Sequence, residues 1–202
     1  MVEEESKKIF LITGPSGSGK TDIYKSISKM PELTNLGLKR VITCTTRPSR
    51  IDEENGIHYH FYDEKRFKES ILRGEFLEHA IVYGNHYGSR REDVEKLARI
   101  AYPLIVIDVQ GALTFQQQNN DCTSIFVDAP ISELEKRLVK RATDTAEEIQ
   151  RRLKFAPNER NQACRFDYVV DNEPGKIENA IREVHGIIRS EILTSKAQYQ
   201  KA

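Results

Sequence analysis

The feature that most constrains this chain is a glycine-rich segment that follows an apolar strand and precedes a helical pattern. An apolar run over residues 8–13 predicts a buried strand, and helical periodicity continues from the loop to about Met30. The eight residues of the loop are Gly14, Pro15, Ser16, Gly17, Ser18, Gly19, Lys20 and Thr21. Strand, glycine loop and helix in this order predict a phosphate-binding loop, because the backbone N–H groups and the positive end of the helix face the same anion.

The last two residues of the loop carry side chains suited to nucleotide chemistry. Lys20 would reach the β and γ phosphates of a nucleoside triphosphate, and the Thr21 hydroxyl would be a ligand of Mg²⁺. A glycine-rich turn with a chance lysine is the alternative, and the flanking strand and helix disfavour it. The loop therefore predicts that a nucleoside triphosphate binds, without choosing among GTPase, ATPase and kinase.

The length and charge of the chain limit its domain count and its partners. The chain has 202 residues, too few for two ordinary domains, and its 31 Lys and Arg residues balance 31 Asp and Glu residues. Zero net charge gives no global attraction to nucleic acid or to an anionic membrane, so we expect small-molecule partners. The odd number of cysteines (Cys44, Cys122, Cys164) and a first segment without an apolar run predict a reducing cytoplasm and no secretory signal.

Strands and helices alternate along most of the chain, which predicts an α/β fold. After the first strand, the predicted core strands are residues 38–44, 104–108, 124–128 and 168–170. Because crossover helices separate them, the strands should form a parallel sheet. A final helix is expected over residues 175–193, followed by a frayed tail over residues 194–202.

Two stretches depart from this alternation. After residue 41, short strands at 57–61 and 76–83 flank a predicted helix over residues 64–73, and this region has the character of a small insertion. Asp63 is the expected N-cap of that helix, with Gly74 after its end. In the second stretch, two highly charged helices are expected over residues 133–141, capped by Ser132, and 146–155, capped by Thr145.

Five segments of the chain together resemble guanylate kinase. They are residues 14–21, 45–50, 55–61, 75–89 and 107–111. The most specific are the run from Thr45 to Arg50, which reads TTRPSR, and the run from Tyr83 to Ser89, which reads YGNHYGS, because neither serves a general structural need. The resemblance implies Mg²⁺-dependent phosphorylation of GMP, and also of dGMP, by ATP in a monomer or homodimer.

The resemblance also implies a P-loop NTPase fold with three layers, a parallel core sheet, a small mixed α/β acceptor-binding insertion and a helical lid. The expected division is a core at about 1–40, 92–130 and 160–202, a monophosphate-binding insertion at about 41–91 and a lid at about 131–159.

By resemblance, the phosphate of the acceptor would be held by Arg47, Arg50, Tyr59 and Tyr87. Arginine forks make two-point contacts with phosphate oxygens, and tyrosine hydroxyls can donate to the oxygens that remain. Taken alone, Arg47 and Arg50 would more often be solvated loop residues. Within the matched motif, phosphate binding is the favoured interpretation.

The resemblance places four further residues around the guanine. They are Thr43, Glu78, Ser89 and Asp108. Carboxylates at Glu78 and Asp108 would match the two N–H donors on the Watson-Crick edge of guanine, whereas adenine presents an acceptor at N1. Asp108 is alternatively a carboxylate on the magnesium side, as in many P-loop proteins.

Three arginines of the charged helices are candidates for contact with the transferring phosphate. Arg137 and Arg141 share one helix face, and Arg152 lies on the next helix, so the three could converge. The resemblance to guanylate kinase implies that these arginines belong to a mobile lid. Ordinary surface ion pairs of Arg137 with Glu133 and of Arg152 with Glu148 are the alternative.

Several positions differ from the usual family pattern. Val106 stands where a second acid is common, and Asp22 follows the loop where Ser or Thr is usual. Lys140 and Ala142 replace glycines beside a lid arginine, and Asp171 stands near the expected adenine side where asparagine is frequent. Two other functions therefore stay open, namely a kinase acting on another monophosphate or a sugar phosphate, and a binding module without catalysis.

Overall fold

The structure is a computed structural model that describes residues 6–118, 121–141 and 144–199. Its strands are β1 (Ile9–Thr13), β2 (Leu38–Arg40), β3 (Cys44–Thr45), β4 (His60–Phe61), β5 (Phe76–Val82), β6 (Asn85–Arg90), β7 (Tyr102–Val106), β8 (Cys122–Asp128) and β9 (Tyr168–Asp171). Its helices are α1 (Lys20–Ile27), α2 (Pro31–Leu36), α3 (Glu64–Leu72), α4 (Arg91–Ile100), α5 (Val109–Gln118), α6 (Ile131–Arg141), α7 (Ala146–Arg160) and α8 (Ile177–Tyr199), with a short 3-10 helix at Ala163–Arg165.

A parallel sheet of five strands forms the centre of the fold, in the order β2-β7-β1-β8-β9. Side chains alternate along the central strand β1, so that Phe10 and Ile12 pack with α1, α2 and α8, while Leu11 packs with α4 and α5. Helices therefore cover both faces, as the α/β reading of the sequence predicts. The loop after β1 lies at the carboxyl edge of the sheet, where ligands of such folds bind.

A second, mixed sheet lies between β2 and α4 in the sequence, with the strand order β4-β3-β6-β5. β3 pairs in parallel with β4 and antiparallel with β6, which forms a hairpin with β5. Helix α3 packs on this sheet through Phe67, which stacks against Phe76 with ring centroids 4.5 Å apart. Asp63 caps α3 by accepting from the N–H of Arg66, and Gly74 lies just past its end, as predicted.

Helices α6 and α7 follow one another in the chain, and they pack through Leu134, Leu153 and Ala156. Thr145 caps α7 as expected, within a capping box in which Glu148 bonds back to the N–H of Thr145. Ser132 is not the cap of α6, because that helix begins one residue earlier.

The secondary structure differs from the sequence-based expectation in several places within the first half of the chain, among them strand β6, which was not predicted, and β4, which is shorter than expected. The predicted strand over residues 38–44 is two strands, since β2 belongs to the core sheet and β3 to the second sheet. The apolar residues of 38–44 look alike in the sequence whether they belong to one sheet or to two, so this split could not be read from them. Helix α2 was missed, although Pro31 at its first turn and Gly37 at its end, with φ of 94°, are recognisable boundary signals.

Later elements are longer than expected. Helix α7 continues through Pro157 to Arg160, and α8 continues through the expected frayed tail to Tyr199. Residues 200–202 of that tail lie outside the described residues. Every helix within the described ranges is too short or too polar to cross a membrane.

Candidate active site

The phosphate-binding loop between β1 and α1 depends on backbone shapes that only glycine adopts easily. Gly14 has φ of 138° and Gly19 has φ of 99°, both in the left-handed range. A Cβ atom at Gly14 would lie 2.1 Å from the carbonyl oxygen of Val127, and one at Gly19 would lie 2.3 Å from Nδ2 of Asn172. The loop is therefore held closely between β8 and the end of β9, and larger residues cannot replace these glycines.

Lys20 is half-buried at the end of this loop. Its Nζ donates to the carbonyl oxygens of Gly14 at 2.6 Å and Pro15 at 2.8 Å. Burial lowers the pKa of Lys20 to about 8, and the negative charges of Glu159 and Asp108 oppose that shift. An anion that enters the loop would favour the charged form, so this lysine is suited to bind a phosphate.

Two residues outside the loop hold its far side in place. Nη1 of Arg137 lies 3.3 Å from the carbonyl oxygen of Ser18, and its Nη2 donates to the carbonyl oxygen of Asn172 at 3.0 Å. Nδ2 of Asn172 donates to the same Ser18 oxygen at 2.7 Å. Sequence reasoning did not single out Asn172, which follows the last core strand and lies one residue beyond Asp171.

The arginines expected to bind the acceptor phosphate lie beside the two expected tyrosines. The guanidinium of Arg47 is 5.6 Å from the ring centroid of Tyr59, and the rings of Tyr59 and Tyr87 are 6.3 Å apart. Nη2 of Arg47 donates to both oxygens of Glu53 at 2.8 Å, and the N–H of Arg50 donates to Oε2 of Glu53 at 2.9 Å. Glu53 thus orients both arginines. The sequence analysis did not single out Glu53, although an acid three residues after Arg50 is a recognisable sign of an ion pair.

The residues expected around the base meet at the end of the hairpin nearest the core sheet. Glu78 and Ser89 are register partners on β5 and β6, and Asp108 follows β7. Gly111 permits this arrangement, because a Cβ atom there would lie 2.9 Å from Oε2 of Glu78. Thr43, just before β3, is buried as well.

Glu78 is an acid of this pocket whose pKa is strongly raised. Burial, aided by the nearby charge of Asp108, raises the pKa of Glu78 to about 8. Oε2 of Glu78 and Oγ of Ser89 are buried and make no well-aligned hydrogen bond with the described residues, although the two side chains lie within reach of each other. Buried polar atoms are normally paired, so this pocket is prepared for a polar ligand.

Two arginines of the predicted lid converge with an arginine of the predicted acceptor site on a single acid. Nη2 of Arg50 lies 3.3 Å from Oδ1 of Asp144, Nη2 of Arg152 lies 3.5 Å from the same atom, and Arg141 bonds to Oδ2. Burial alone would raise the pKa of Asp144, but the arginines outweigh it and hold that pKa below its usual range. Nη1 of Arg152 also donates to Oγ of Ser16 at 2.9 Å, so this cluster reaches the phosphate loop.

Arg137 does not join that cluster, because its contacts are with the carbonyl groups of the loop and of Asn172. The alternative surface pairs of the lid do not form among the described residues either. Glu133 pairs with Lys136, and Glu148 is used in the helix cap. Ala142, one of the replaced glycines, lies outside the described residues, and Lys140 is an exposed residue in the last turn of α6.

Two residues of the chain could be ligands of Mg²⁺. Thr21 is exposed at the start of α1, beside Lys20, and Asp108 is close enough to Lys20 for their charges to interact. Val106 ends β7 with an apolar side chain and offers no oxygen. Because Mg²⁺ usually takes one or two protein oxygens together with phosphate oxygens, Thr21 and Asp108 fit this ion.

The fold and these groups define a P-loop protein with one site for a triphosphate and a second pocket for a phosphorylated ligand. A family model described as guanylate kinase matches residues 6–191, and the chain belongs to the guanylate kinase family. The resemblance found in the motifs is therefore confirmed.

Individual relatives agree with this assignment. The chain is 41% identical over 192 residues to a guanylate kinase of Methylobacillus flagellatus, covering 94% of this chain and 92% of that protein. It is 39% identical over 186 residues to a guanylate kinase of Thermotoga maritima, covering 91% and 87%. A crystal structure of guanylate kinase from Anaplasma phagocytophilum superimposes with a TM-score of 0.70 at 29% identity, covering 92% of this chain and 86% of the other.

Proposed function

We propose that this chain transfers the terminal phosphate of ATP to GMP, and also to dGMP, giving GDP or dGDP. The observation that carries the choice of base is the buried Glu78 beside the half-buried Asp108, with polar atoms of Glu78 and Ser89 that have no well-aligned hydrogen-bond partner among the described residues. Guanine offers two N–H donors to such acids, whereas N1 of adenine is an acceptor and would be repelled. A site built around hydrogen bonds rejects a base that leaves its buried groups unpaired.

The acceptor phosphate is assigned to Arg47, Arg50, Tyr59 and Tyr87. These side chains lie together, and Glu53 keeps the two arginines in a fixed orientation. A phosphate in this position would be bound by fork-shaped donors on one side and by hydroxyl groups on the other. The acceptor oxygen would then point toward the cluster around Asp144.

The donor triphosphate is assigned to residues 14–21, with Lys20 at the β and γ phosphates. Arg141 and Arg152 approach the same region from the lid and would neutralise charge that develops on the transferring phosphoryl group. Arg137 would act indirectly by holding the loop. No general base is needed, because the attacking oxygen belongs to an ionised phosphate, so positioning and charge stabilisation suffice.

Magnesium is part of this proposal, with Thr21 as the protein ligand and Asp108 near the metal or the base. The ion would supply positive charge between the donor phosphates. We further propose that residues 41–91 bind the acceptor and that residues 131–159 close over the donor to exclude water. The reaction is expected in the cytoplasm, where both nucleotides are available.

The test is to mix the purified protein with ATP and Mg²⁺ and with GMP, dGMP, AMP, UMP or CMP in turn, while ADP formation is followed. The proposal expects turnover with GMP and dGMP alone and none in a Lys20→Ala variant. Turnover with a different monophosphate, or only with a phosphorylated sugar, would overturn the choice of acceptor. If neither turnover nor ATP binding were found, a binding module without catalysis would be the better description.

A further inference from the structure

Tyr83 lies at the tip of the β5–β6 hairpin and has an unusual backbone conformation. Its φ is 52°, and it is the only non-glycine residue with positive φ in the part of the chain that the structure describes. A bulky residue in this region is disfavoured unless its surroundings fix it, and such residues concentrate at functional sites. The contacts of the Tyr83 side chain should therefore explain why the protein keeps this backbone conformation.

Those contacts all lie along one side of the lid helix α7. The hydroxyl of Tyr83 donates to Oε1 of Glu159 at 3.1 Å, and its carbonyl oxygen lies 3.4 Å from Nη1 of Arg151. The guanidinium of Arg152 lies 4.8 Å from the centroid of the Tyr83 ring, and the ring of Phe155 lies 6.0 Å away. Residues three to four apart share a helix face, so one side chain spans two turns of α7.

Two of these partners also face the phosphate loop. Arg152 donates to Oγ of Ser16 at 2.9 Å, and the charge of Glu159 acts on Lys20. Burial raises the pKa of Glu159, and its Oε2 is a buried atom without a hydrogen-bond partner among the described residues. Tyr83 thus contacts, from the acceptor side, the lid groups that lie beside the donor site.

The hairpin behind Tyr83 carries the acceptor residues Glu78, Tyr87 and Ser89. We propose that Tyr83 is a positioning residue that couples an acceptor nucleotide in the hairpin pocket to the placement of Arg152 and Glu159 beside the donor phosphates. The inference rests on the proposed function, since it requires the two nucleotides to occupy the sites assigned above.

A phenol suits this task because both of its ends are used. The ring face packs against a guanidinium, and the hydroxyl donates to a carboxylate two turns further along the helix. An acceptor that fixes the hairpin would hold Tyr83 in place and so favour the position of α7 that the donor needs. Coupling of this kind is reciprocal, so each nucleotide should tighten the binding of the other by the same factor.

The test measures that factor by titration calorimetry with a non-hydrolysable ATP analogue, with and without saturating GMP, in the presence of Mg²⁺. The main variant is Tyr83→Asn, because asparagine tolerates positive φ while losing the ring and the phenol. Ile81→Ala is the matched control, since Ile81 is an exposed residue of the same hairpin. Steady-state kcat and KM for both nucleotides are measured on the same samples.

We expect GMP to tighten binding of the analogue to the unaltered protein on the order of tenfold, within the usual range of such couplings. In Tyr83→Asn the factor should approach one and kcat should fall roughly tenfold, while each nucleotide alone binds within about twofold of normal. Ile81→Ala should keep both the coupling and kcat. A structural defect would instead weaken the binding of each nucleotide measured alone.

Unchanged coupling in Tyr83→Asn, or no coupling in the unaltered protein, would overturn the inference while leaving the proposed function intact. If Tyr83→Asn does not fold, Tyr83→Gly replaces it under the same criteria. Failure of the unaltered protein to bind either nucleotide would overturn the proposed function, and this inference with it.

Discussion

The proposed donor loop and the proposed acceptor pocket are built from different parts of the protein. The donor loop is built from consecutive residues and depends on glycine backbone shapes such as that of Gly19. The acceptor pocket is built from side chains, among them Glu78 and Ser89 on paired strands of the second sheet and Asp108 after a strand of the core sheet, which come together only when the chain folds. Triphosphate binding can therefore be encoded by residues adjacent in the sequence, whereas base recognition requires a pocket that forms only on folding.

The two regions also treat charge in opposite ways. Burial lowers the pKa of Lys20 to about 8 in the donor loop, and it raises the pKa of Glu78 to about 8 in the acceptor pocket. Both shifts have one cause, since a low-dielectric environment disfavours the charged form of either group. Each region therefore gains a full charge most easily when its ligand arrives.

The largest expected effect is in the donor loop. Lys20→Ala should lower kcat on the order of 10³-fold, because a preorganised cation at the transferring phosphate is lost. ADP formation with GMP as acceptor is the measurement, and Lys25→Ala, at an exposed position of the same helix, is the control. A loss of less than about tenfold would show that the loop backbone, and not Lys20, dominates.

The next effect should be confined to the acceptor pocket. Glu78→Gln should weaken GMP binding by about 1.5 to 3 kcal/mol, because a charged acceptor of two N–H groups is lost. Calorimetry with GMP and with an ATP analogue separates the two regions, and only GMP binding should change. Glu75→Gln, a half-exposed acid just before the same strand, should bind GMP normally. If Glu78→Gln weakened the binding of GMP and of the ATP analogue equally, the two sites would not be independent of each other.

The opposite pKa shifts predict opposite pH dependences. Glu78 must lose its proton to accept from guanine, so GMP binding should tighten roughly tenfold as pH rises from 7 toward 8.5. Lys20 must keep its proton to bind phosphate, so binding of the ATP analogue should weaken a few-fold over the same interval. Binding constants measured at several pH values test both. The GMP trend should flatten in Glu78→Gln, and a trend that persists there would come from another group.

The smallest effect concerns a single hydroxyl group at the edge of the base pocket. Thr43→Val keeps the size of the side chain and should weaken GMP binding by about 0.5 to 1.5 kcal/mol, the usual net value of one hydrogen bond. Thr114→Val, on helix α5, is the control. Unchanged GMP affinity in Thr43→Val would show that Thr43 does not contact the base. The residues assigned to base recognition would then be Glu78, Asp108 and Ser89.

Much of the fold and of the site was predictable from local patterns. The phosphate loop, the caps at Asp63 and Thr145 and most core elements follow from spacing and residue type, because each depends on neighbours in the chain. The split of residues 38–44 between two sheets did not follow, since the pairing partners of β2 and β3 lie more than 15 residues away. The roles of the individual site residues stay predictions.

The P-loop, the α/β core and the motifs of the guanylate kinase family are all recognisable in the amino-acid sequence. The contacts of the arginines in the predicted lid are visible only in the folded protein. Arg137 turns to the loop carbonyls, while Arg141 and Arg152 meet Asp144. The tertiary structure also decided that Tyr83 contacts α7, and that burial shifts the pKa values of Lys20 and Glu78 toward each other. The reason is physical: backbone shape and capping depend on adjacent residues, whereas burial, ion pairing and pKa depend on groups that folding brings together.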